Sequence, residues 1–376
     1  MLKKSTYLIH LFSFNILEKQ HSSNNNQPAV PRGVENRLSS DSNLLSQDVS
    51  RLIWLTNTKE QMKITQFIVK HYVESTEPYY DAAILKKKST IFRDFMQICR
   101  LNKWLEPAKE IWNDRIFMDR VGYIDTQGNK LAFNMPTITL TYLDLLYKKK
   151  LYQDVISEIQ KIEKSVVVPP FVYVIGMMAC LKLNTPASLE AASAFYNGPS
   201  GGHIMRISRV VNPYALLLFL QNKQSQALET VSLLPTRHLL VLRAGIMVHF
   251  LSHLNRPIEA CNLLENSLRN SEREDKALAM ARGQNLPKHI FSIESVKALT
   301  KTVENQQDVA LNARLAGIFS RLDKIASITD KSLLHLVTAE IDVDSRLRNK
   351  RRRQERALAE KQSEEDEDLS DDYSHR

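Results

Sequence analysis

The chain has 376 residues, of which 43% are hydrophobic, and its formal net charge at pH 7 is +9. This apolar fraction is ample for the core of one elongated domain or of two compact domains. The three cysteines have no CxxC spacing, which argues against a disulfide framework or a zinc site and indicates buried free thiols.

The N-terminal segment, residues 1–45, has the charge bias of a mitochondrial presequence followed by a disordered leader. Lysines and no acidic residue precede Glu18, and a stretch rich in Ser, Asn and Gln follows. Two alternatives stay open. Residues 7–14 resemble the apolar core of a secretory signal, although a histidine and a serine interrupt it. The whole segment could also be a disordered leader without a targeting signal. We expect import into the mitochondrial matrix.

A first helical hairpin is predicted over residues 89–112. Apolar residues recur there at helical spacing, Asn102 marks the turn, and Pro107 opens the second helix. The stretch 121–134, with two glycines and several polar residues, is predicted to be a loop.

From residue 136 onwards one pattern returns at a nearly constant interval. A polar residue followed by a small apolar residue recurs with spacings of 36, 36 and 33 residues. The four pairs are Asp154-Val155, Glu190-Ala191, Gln226-Ala227 and Glu259-Ala260. Each pair lies a few positions into a predicted helix, where a small side chain lets the neighbouring helix approach closely. A period in the mid-thirties is typical of stacked helical hairpins.

The turns of these hairpins are rich in Lys and Asn. They are predicted at residues 148–150, 182–184, 221–224 and 255, and the first helix of the third hairpin is predicted from Tyr214. Pro186 and Pro257 stand in the first turn of a helix, where proline is tolerated, and Thr185 and Asn255 are the predicted caps before them.

The longest apolar stretch, residues 166–181, is predicted to be a buried helix. Two prolines interrupt it, and it falls short of the ~20 residues that a membrane helix needs. We therefore expect no transmembrane segment.

These patterns together predict an all-α fold, since strand signals are nearly absent. The expected architecture is a right-handed solenoid of helical hairpins with C-terminal capping helices and disordered ends. The predicted divisions are the presequence and leader at 1–45, degenerate repeats at 46–285, a helical cap at 286–343 and a charged disordered tail at 344–376. The tail has a basic run at 346–356 and an acidic run at 364–372.

Positive charge on an extended surface suits a polyanion, because each neutralised phosphate releases counterions. Outside the tail the chain carries an excess of about ten positive charges. The candidates for phosphate contact are Lys86, Lys87, Lys88, Arg206, Arg209 and Arg243. The turn lysines 148–150 are the weakest candidates, because turns are often merely solvent-exposed. Ordinary solubility is the alternative explanation of the charge.

No catalytic constellation emerges from the residues. His249 and His253 have a spacing that can hold a metal, but no third ligand is apparent, so a structural pair is expected. The glycines of residues 198–202 lack the following Gly-Lys-Ser/Thr of a phosphate-binding loop. We predict a protein that is not an enzyme and holds no cofactor or metal.

The period, the openings such as Pro169-Pro-Phe-Val-Tyr173 and the turns followed by a Glu-Ala-like pair resemble degenerate pentatricopeptide repeats. Three further blocks are similar to mitochondrial members of that family in animals. They are VPPFVYVIGMMACLKLN from Val168, LPKHIFS from Leu286 and RLDKIASITDKSLLHLV from Arg321. The resemblance runs in order from about Lys86 to Val337 and includes the C-terminal helices outside the repeats.

This resemblance implies a mitochondrial helical-hairpin protein that acts in RNA maturation and so supports the respiratory chain. The implied partners are mitochondrial RNA and RNA-processing proteins, and no DNA. In repeats that recognise bases, a polar residue near the start of the first helix contacts a base edge. The matching residues here, Leu140 and Val174, are apolar, so backbone contacts, shape recognition or a partner protein would supply the specificity. The competing hypothesis is a protein-binding scaffold in the mitochondrion without direct RNA contact.

Overall fold

The part of the chain that the computed structural model describes is built almost entirely of α-helices. The described residues are 46–75, 82–114, 122–124, 130–132, 135–163, 168, 170–198, 207–234, 241–282, 290–325 and 327–339. They fall into two units, of which the first holds the described residues up to Lys150 and the second is Leu151–Glu340. The predicted all-α class is therefore confirmed. The predicted presequence and leader at 1–45 and the predicted tail at 344–376 lie outside the described residues.

The first unit contains five described helices and one short ladder. The helices are α1 (Ser46–Leu55), α2 (Lys59–Ser75), α3 (Ala82–Leu101), α4 (Leu105–Asn113) and α5 (Met135–Lys148), and β1 (Gly122–Ile124) pairs antiparallel with β2 (Lys130–Ala132). The ladder lies where the sequence predicted a loop over 121–134, so that prediction was wrong in part. Two strands of three residues are too short to show a period of two in the sequence.

Helix α3 is the centre of the first unit, because α1, α2, α4 and α5 all pack against it. Its Phe92 and Phe95 are fully buried. Its Asp94 is buried as well and accepts hydrogen bonds from Ser50 Oγ at 2.7 Å and from Trp54 Nε1 at 3.1 Å. A buried carboxylate is tolerated where such donors surround it.

The second unit contains ten described helices and a second ladder. The helices are α6 (Tyr152–Glu163), α7 (Pro170–Leu183), α8 (Pro186–Asn197), α9 (Ser208–Leu220), α10 (Gln224–Ser232), α11 (Val241–His253), α12 (Pro257–Arg282), α13 (Ile293–Gln306), α14 (Val309–Ile325) and α15 (Leu333–Val337). The ladder pairs β3 (Ile290–Ser292) in parallel with β4 (Ser327–Thr329).

Successive hairpins of the second unit contact each other in chain order. The first helices α7, α9, α11 and α13 each touch the next one, and each also packs against the second helix of its own hairpin. The small residues of the recurring pairs, Val155, Ala191, Ala227 and Ala260, are all buried. They lie in the second helices, as the period predicted, where a small side chain permits close approach.

Each described first helix from α3 onwards ends in left-handed backbone. The residues with positive φ are Lys103, Lys150, Asn184, Asn222, Asn255 and Gln307. At Asn222, for example, Asn222 N donates to Phe219 O and Lys223 N to Leu218 O, at 3.0 and 2.9 Å. This pair of bonds satisfies carbonyls at the helix end and reverses the chain. The predicted turns are thus confirmed at each of the four repeats.

Two predictions about helix starts need separate outcomes. Thr185 caps α8 as predicted, and its side chain and that of Ser188 form reciprocal bonds with the backbone. Asn255 was predicted to cap α12, but it is the left-handed residue that closes α11 instead. Asparagine suits either role, because its short side chain tolerates left-handed backbone.

Helix α9 begins earlier than the sequence predicted. It starts at Ser208 rather than near Tyr214, and Pro213 lies inside it. Proline has no N–H to donate to the carbonyl four residues before it, which belongs to Arg209. The helix continues through this missing bond because residues 210–218 are buried against its neighbours.

Polar contacts hold the C-terminal elements together. Ser292 Oγ donates to Lys331 O at 2.8 Å, and Glu294 Oε2 accepts from Leu333 N at 2.9 Å. Helix α15 packs against α9 and α11. The ladder joins Ile290–Ser292 to Ser327–Thr329, which belong to two of the blocks that the sequence analysis singled out, although no strand was predicted in either.

Cys99, Cys180 and Cys261 are buried free thiols, as predicted. Burial raises the pKa of Cys180 to about 12 and also raises that of Cys99, which keeps these thiols protonated and unreactive. Within the described part of the chain, no helix is both long enough and apolar enough to cross a bilayer.

Substitution of Gly176 by valine is expected to destabilise the protein. A Cβ at this position would lie 2.7 Å from Ile159 Cδ1 and 3.3 Å from Phe195 Cε2. Overpacking of this kind costs about 1–3 kcal/mol, measurable as a lower midpoint of urea unfolding. The control is Gly317→Val, since Gly317 is also helical but has nothing within 4 Å, and its effect should stay within about 0.5 kcal/mol. Equal effects at both positions would contradict close packing at Gly176.

Candidate nucleic-acid interface

Two of the six predicted phosphate-binding cations are buried. Lys88 is 2% exposed and Arg243 is 4% exposed, so neither presents its charge at the surface. A helix packs with one face, because consecutive side chains project about 100° apart. The burial of Lys88 places it on the packed face of α3. Lys86 and Lys87 belong to α3, but their side chains lie outside the described part of the structure, as does all of Arg206.

Arg243 has a packing role in α11. Its Nη2 donates to Ser232 O at 3.2 Å, at the C-terminal end of α10, where carbonyls lack intrahelical partners. Burial lowers the pKa of this guanidinium. The prediction that Arg243 contacts phosphate is corrected accordingly, since its long side chain is used to hold two helices together.

Arg209 is exposed near the start of α9. None of the described carboxylates forms an ion pair with it. Phe171, near the start of α7, is 66% exposed, although phenylalanine is ordinarily a core residue. The sequence analysis had not selected Phe171. The sequence feature that could have identified it is an aromatic residue directly after two prolines, at the predicted start of a helix.

Phe171 and Arg209 occupy equivalent positions on neighbouring helices. Each lies 13 residues before the left-handed residue that closes its helix, Asn184 for α7 and Asn222 for α9. Gln221 Nε2 donates to Asn184 O and Oδ1 at 3.0 and 2.8 Å, so the C-terminal ends of α7 and α9 are adjacent. The two helices pack against each other with these ends adjacent, so they run in the same direction, and Phe171 and Arg209 lie toward the same end of the pair.

This pair offers two kinds of contact to a single strand of nucleic acid. An exposed aromatic ring gives a stacking platform for any base. An arginine forms bidentate hydrogen bonds with phosphate and keeps its charge at all physiological pH values. Both contacts are independent of base identity.

The positions expected to contact base edges are not available for hydrogen bonding at the surface. Leu140 is half-buried and Val174 is buried, and both are apolar. The equivalent residue of α9, ten positions before Asn222, is Asn212. Asn212 is polar but only 6% exposed, so its amide is held inside the packed hairpins.

The turn lysines are largely exposed, as the sequence analysis expected of residues in turns. Lys149, Lys150 and Lys223 are exposed, whereas Lys148 lies near Asp144, with 3.7 Å between Nζ and Oδ2. These turn lysines are open to solvent, whereas the higher-ranked candidates Lys88 and Arg243 are buried. The reason is that residues beyond a helix end have no neighbouring helix to cover them.

His249 and His253 lie side by side on α11 with ring centroids 4.6 Å apart, and both rings contact Phe219. Burial and the neighbouring His253 lower the pKa of His249 to about 4. Burial and Lys301 also lower the pKa of His253. No group of residues suited to holding a metal occurs in the described ranges. The pair is part of an aromatic cluster.

The sequence matches no protein-family model and no curated protein.

The imidazole of His249 should make the protein less stable as the pH falls below about 6.5. Between pH 6.5 and 4 the unfolded chain binds a proton that the folded chain does not, because the folded pKa is about 4. The free energy of unfolding should fall by about 1–3 kcal/mol across this window. Urea unfolding at pH 7.5 and pH 4.5 measures the loss, and His249→Leu should reduce it. An unchanged loss in the variant would contradict the assignment.

Proposed function

We propose that the protein is a mitochondrial RNA-binding protein of the helical-hairpin type that assists RNA maturation or transcript stability and thereby supports the respiratory chain. The observation that carries the proposal is the exposed pair of Phe171 and Arg209, placed at the same end of two packed parallel helices. Proteins bind single-stranded RNA with aromatic rings that stack on bases and with cations that contact phosphates. The role is non-catalytic.

The proposed architecture of the unit Leu151–Glu340 is a right-handed solenoid with C-terminal capping helices. In its support, hairpins contact one another in chain order, and α13 and α14 cover the apolar residues of α11 and α12. Stacks of this kind need a terminal element with a polar outer face. Helix α14 fits that description, since its outward residues are mostly exposed.

The proposed recognition is independent of sequence. Stacking on Phe171 and phosphate contact with Arg209 accept any nucleotide, and the residues at the base-edge positions are apolar or buried. Specificity for a transcript would then come from RNA shape or from an RNA-processing protein bound at the same time. Sequence-independent contact with RNA, with specificity from another source, is compatible with the pentatricopeptide resemblance.

Removal of the Phe171 ring should weaken RNA binding by about 5- to 150-fold, because stacking of one base contributes about 1–3 kcal/mol. Arg209→Ala should weaken binding less at high salt than at low salt and reduce the slope of log affinity against log salt by about one. The measurement is fluorescence anisotropy with a labelled single-stranded 20-nucleotide RNA across a salt series.

The matched controls remove an exposed apolar residue and an exposed cation elsewhere in the same unit. Val309→Ala on α14 and Lys297→Ala on α13 should change affinity by less than about twofold. If Phe171→Ala behaves like Val309→Ala, the stacking contact is wrong. If the unaltered protein binds RNA without salt dependence or not at all, the RNA proposal as a whole is wrong.

Mitochondrial localisation is proposed from the charge bias of residues 1–45 and from the resemblance. A full-length chain with a C-terminal fluorescent tag should coincide with a matrix marker in living cells. Replacement of Lys3 and Lys4 by glutamate should disperse it, because import requires positive charge at the leader. A nuclear or secretory distribution of the unaltered chain would contradict the proposal.

The second candidate function is a protein-binding scaffold in the mitochondrion. One observation favours it, namely a groove between hairpins whose walls carry carboxylates and therefore suit a polypeptide better than a polyanion. The two functions use different surfaces of the same unit and can be tested separately.

A further inference from the structure

A groove of about 600 Å³ lies between α10 and α12 over α11. This volume is within the range of about 300–1,000 Å³ that binding sites occupy. The lining residues are Ser225, Leu228, Glu229, Ser232, Met247, Leu251, Arg256, Glu259, Asn262, Leu263 and Asn266. The site is therefore formed by two successive hairpins and would not exist in either one alone.

The apolar residues of the groove are Leu228, Met247, Leu251 and Leu263, which come from all three helices. Leu251 is buried, while Leu228, Met247 and Leu263 are half-buried and so keep surface available for contact. A methionine among leucines adapts its shape to different apolar partners.

The charged residues of the groove leave one negative charge uncompensated. Arg256 and Glu259 neutralise each other through two hydrogen bonds of 2.6 Å. Glu229 is exposed, and no cation in the described part of the chain forms an ion pair with it. Serine and asparagine side chains supply both donors and acceptors around it. This charge opposes a phosphate backbone and attracts a lysine or arginine.

We propose that this groove binds a short segment of a partner protein that presents apolar side chains together with a lysine or arginine. The apolar side chains would cover Leu228, Met247 and Leu263, and the cation would pair with Glu229. A segment of one or two helical turns, or an extended peptide, is compatible with a groove of this size. The proposal does not depend on RNA binding, because Phe171 and Arg209 lie outside the groove.

The test begins with a random 16-residue peptide library displayed on phage and selected on the immobilised full-length protein. Selected peptides should be enriched in lysine or arginine beside leucine, isoleucine, methionine or phenylalanine. Their synthetic forms should shift the ¹³C ε-methyl resonance of Met247, assigned with a Met247→Leu variant. Acidic peptides, no enrichment, or binding that leaves the Met247 resonance unmoved would each overturn the proposal.

Charge reversal at Glu229 is the decisive variant. Glu229→Arg should weaken the selected peptides about tenfold or more, since a favourable charge pair is replaced by a repulsive one. The control is Glu190→Arg on α8, an exposed carboxylate of an earlier hairpin that does not line the groove, and it should change affinity by less than about twofold. Equal effects of the two variants would overturn the assignment of Glu229.

The same variants separate this proposal from the RNA proposal. Glu229→Arg should not weaken RNA binding, and Phe171→Ala should not weaken the peptides. The occupant could instead be a second copy of the chain, and light scattering tests this outcome. A dimer that Glu229→Arg dissociates would overturn the proposal of a separate partner.

Discussion

The reversal of the chain after each first helix is the constraint on which the rest of the fold depends. Left-handed backbone at a residue other than glycine costs about 1–2 kcal/mol, and six described residues adopt it. Part of the cost is offset by the hydrogen bonds that close the helix end. The remainder must come from the packing of the two helices, which the buried small residues make possible. At Lys103, Asn222 and Asn255 the alanine that packs lies five positions further along.

This local spacing has consequences for the surface of the second unit. Because α7 and α9 end at adjacent turns and have similar lengths, residues at the same distance before each turn lie toward the same end of the pair. Phe171 and Arg209 are therefore exposed toward the same end of two packed helices, although they are distant in the sequence. The same regularity places Val174 and Asn212 inside the stack, which removes base-edge contacts while it leaves the two helix starts accessible.

Two regions on the surface of Leu151–Glu340 differ in charge and therefore in the ligands that they favour. The start of α9 carries an unpaired guanidinium among the described residues, whereas the groove over α11 carries an uncompensated carboxylate. Arg243 supports the wall of the groove, because its guanidinium donates a hydrogen bond to the backbone carbonyl of Ser232, a groove residue. A cation that the sequence analysis assigned to RNA thus contributes to the wall of a site suited to protein.

The sequence by itself determined the features that depend on residues close in the chain. These are the helices, the Lys- and Asn-rich turns, the cap at Thr185 and the small residues that recur every 33 to 36 positions. Helical periodicity and turn chemistry are local properties, so they are visible without the fold. The prediction of a loop over 121–134 was wrong in part because a ladder of three-residue strands leaves no local signal in the sequence. The predicted start of α9 was wrong because tertiary packing tolerates a proline inside the helix.

Only the tertiary structure decided which side chains reach the solvent. Lys88 and Arg243 are as polar as Arg209, yet neighbouring helices cover them. The parallel ladder of β3 with β4 joins residues 37 positions apart. The groove needs walls from two hairpins. Exposure and juxtaposition depend on contacts between segments distant in sequence, and for that reason the composition predicted a cationic surface but not the residues that form it.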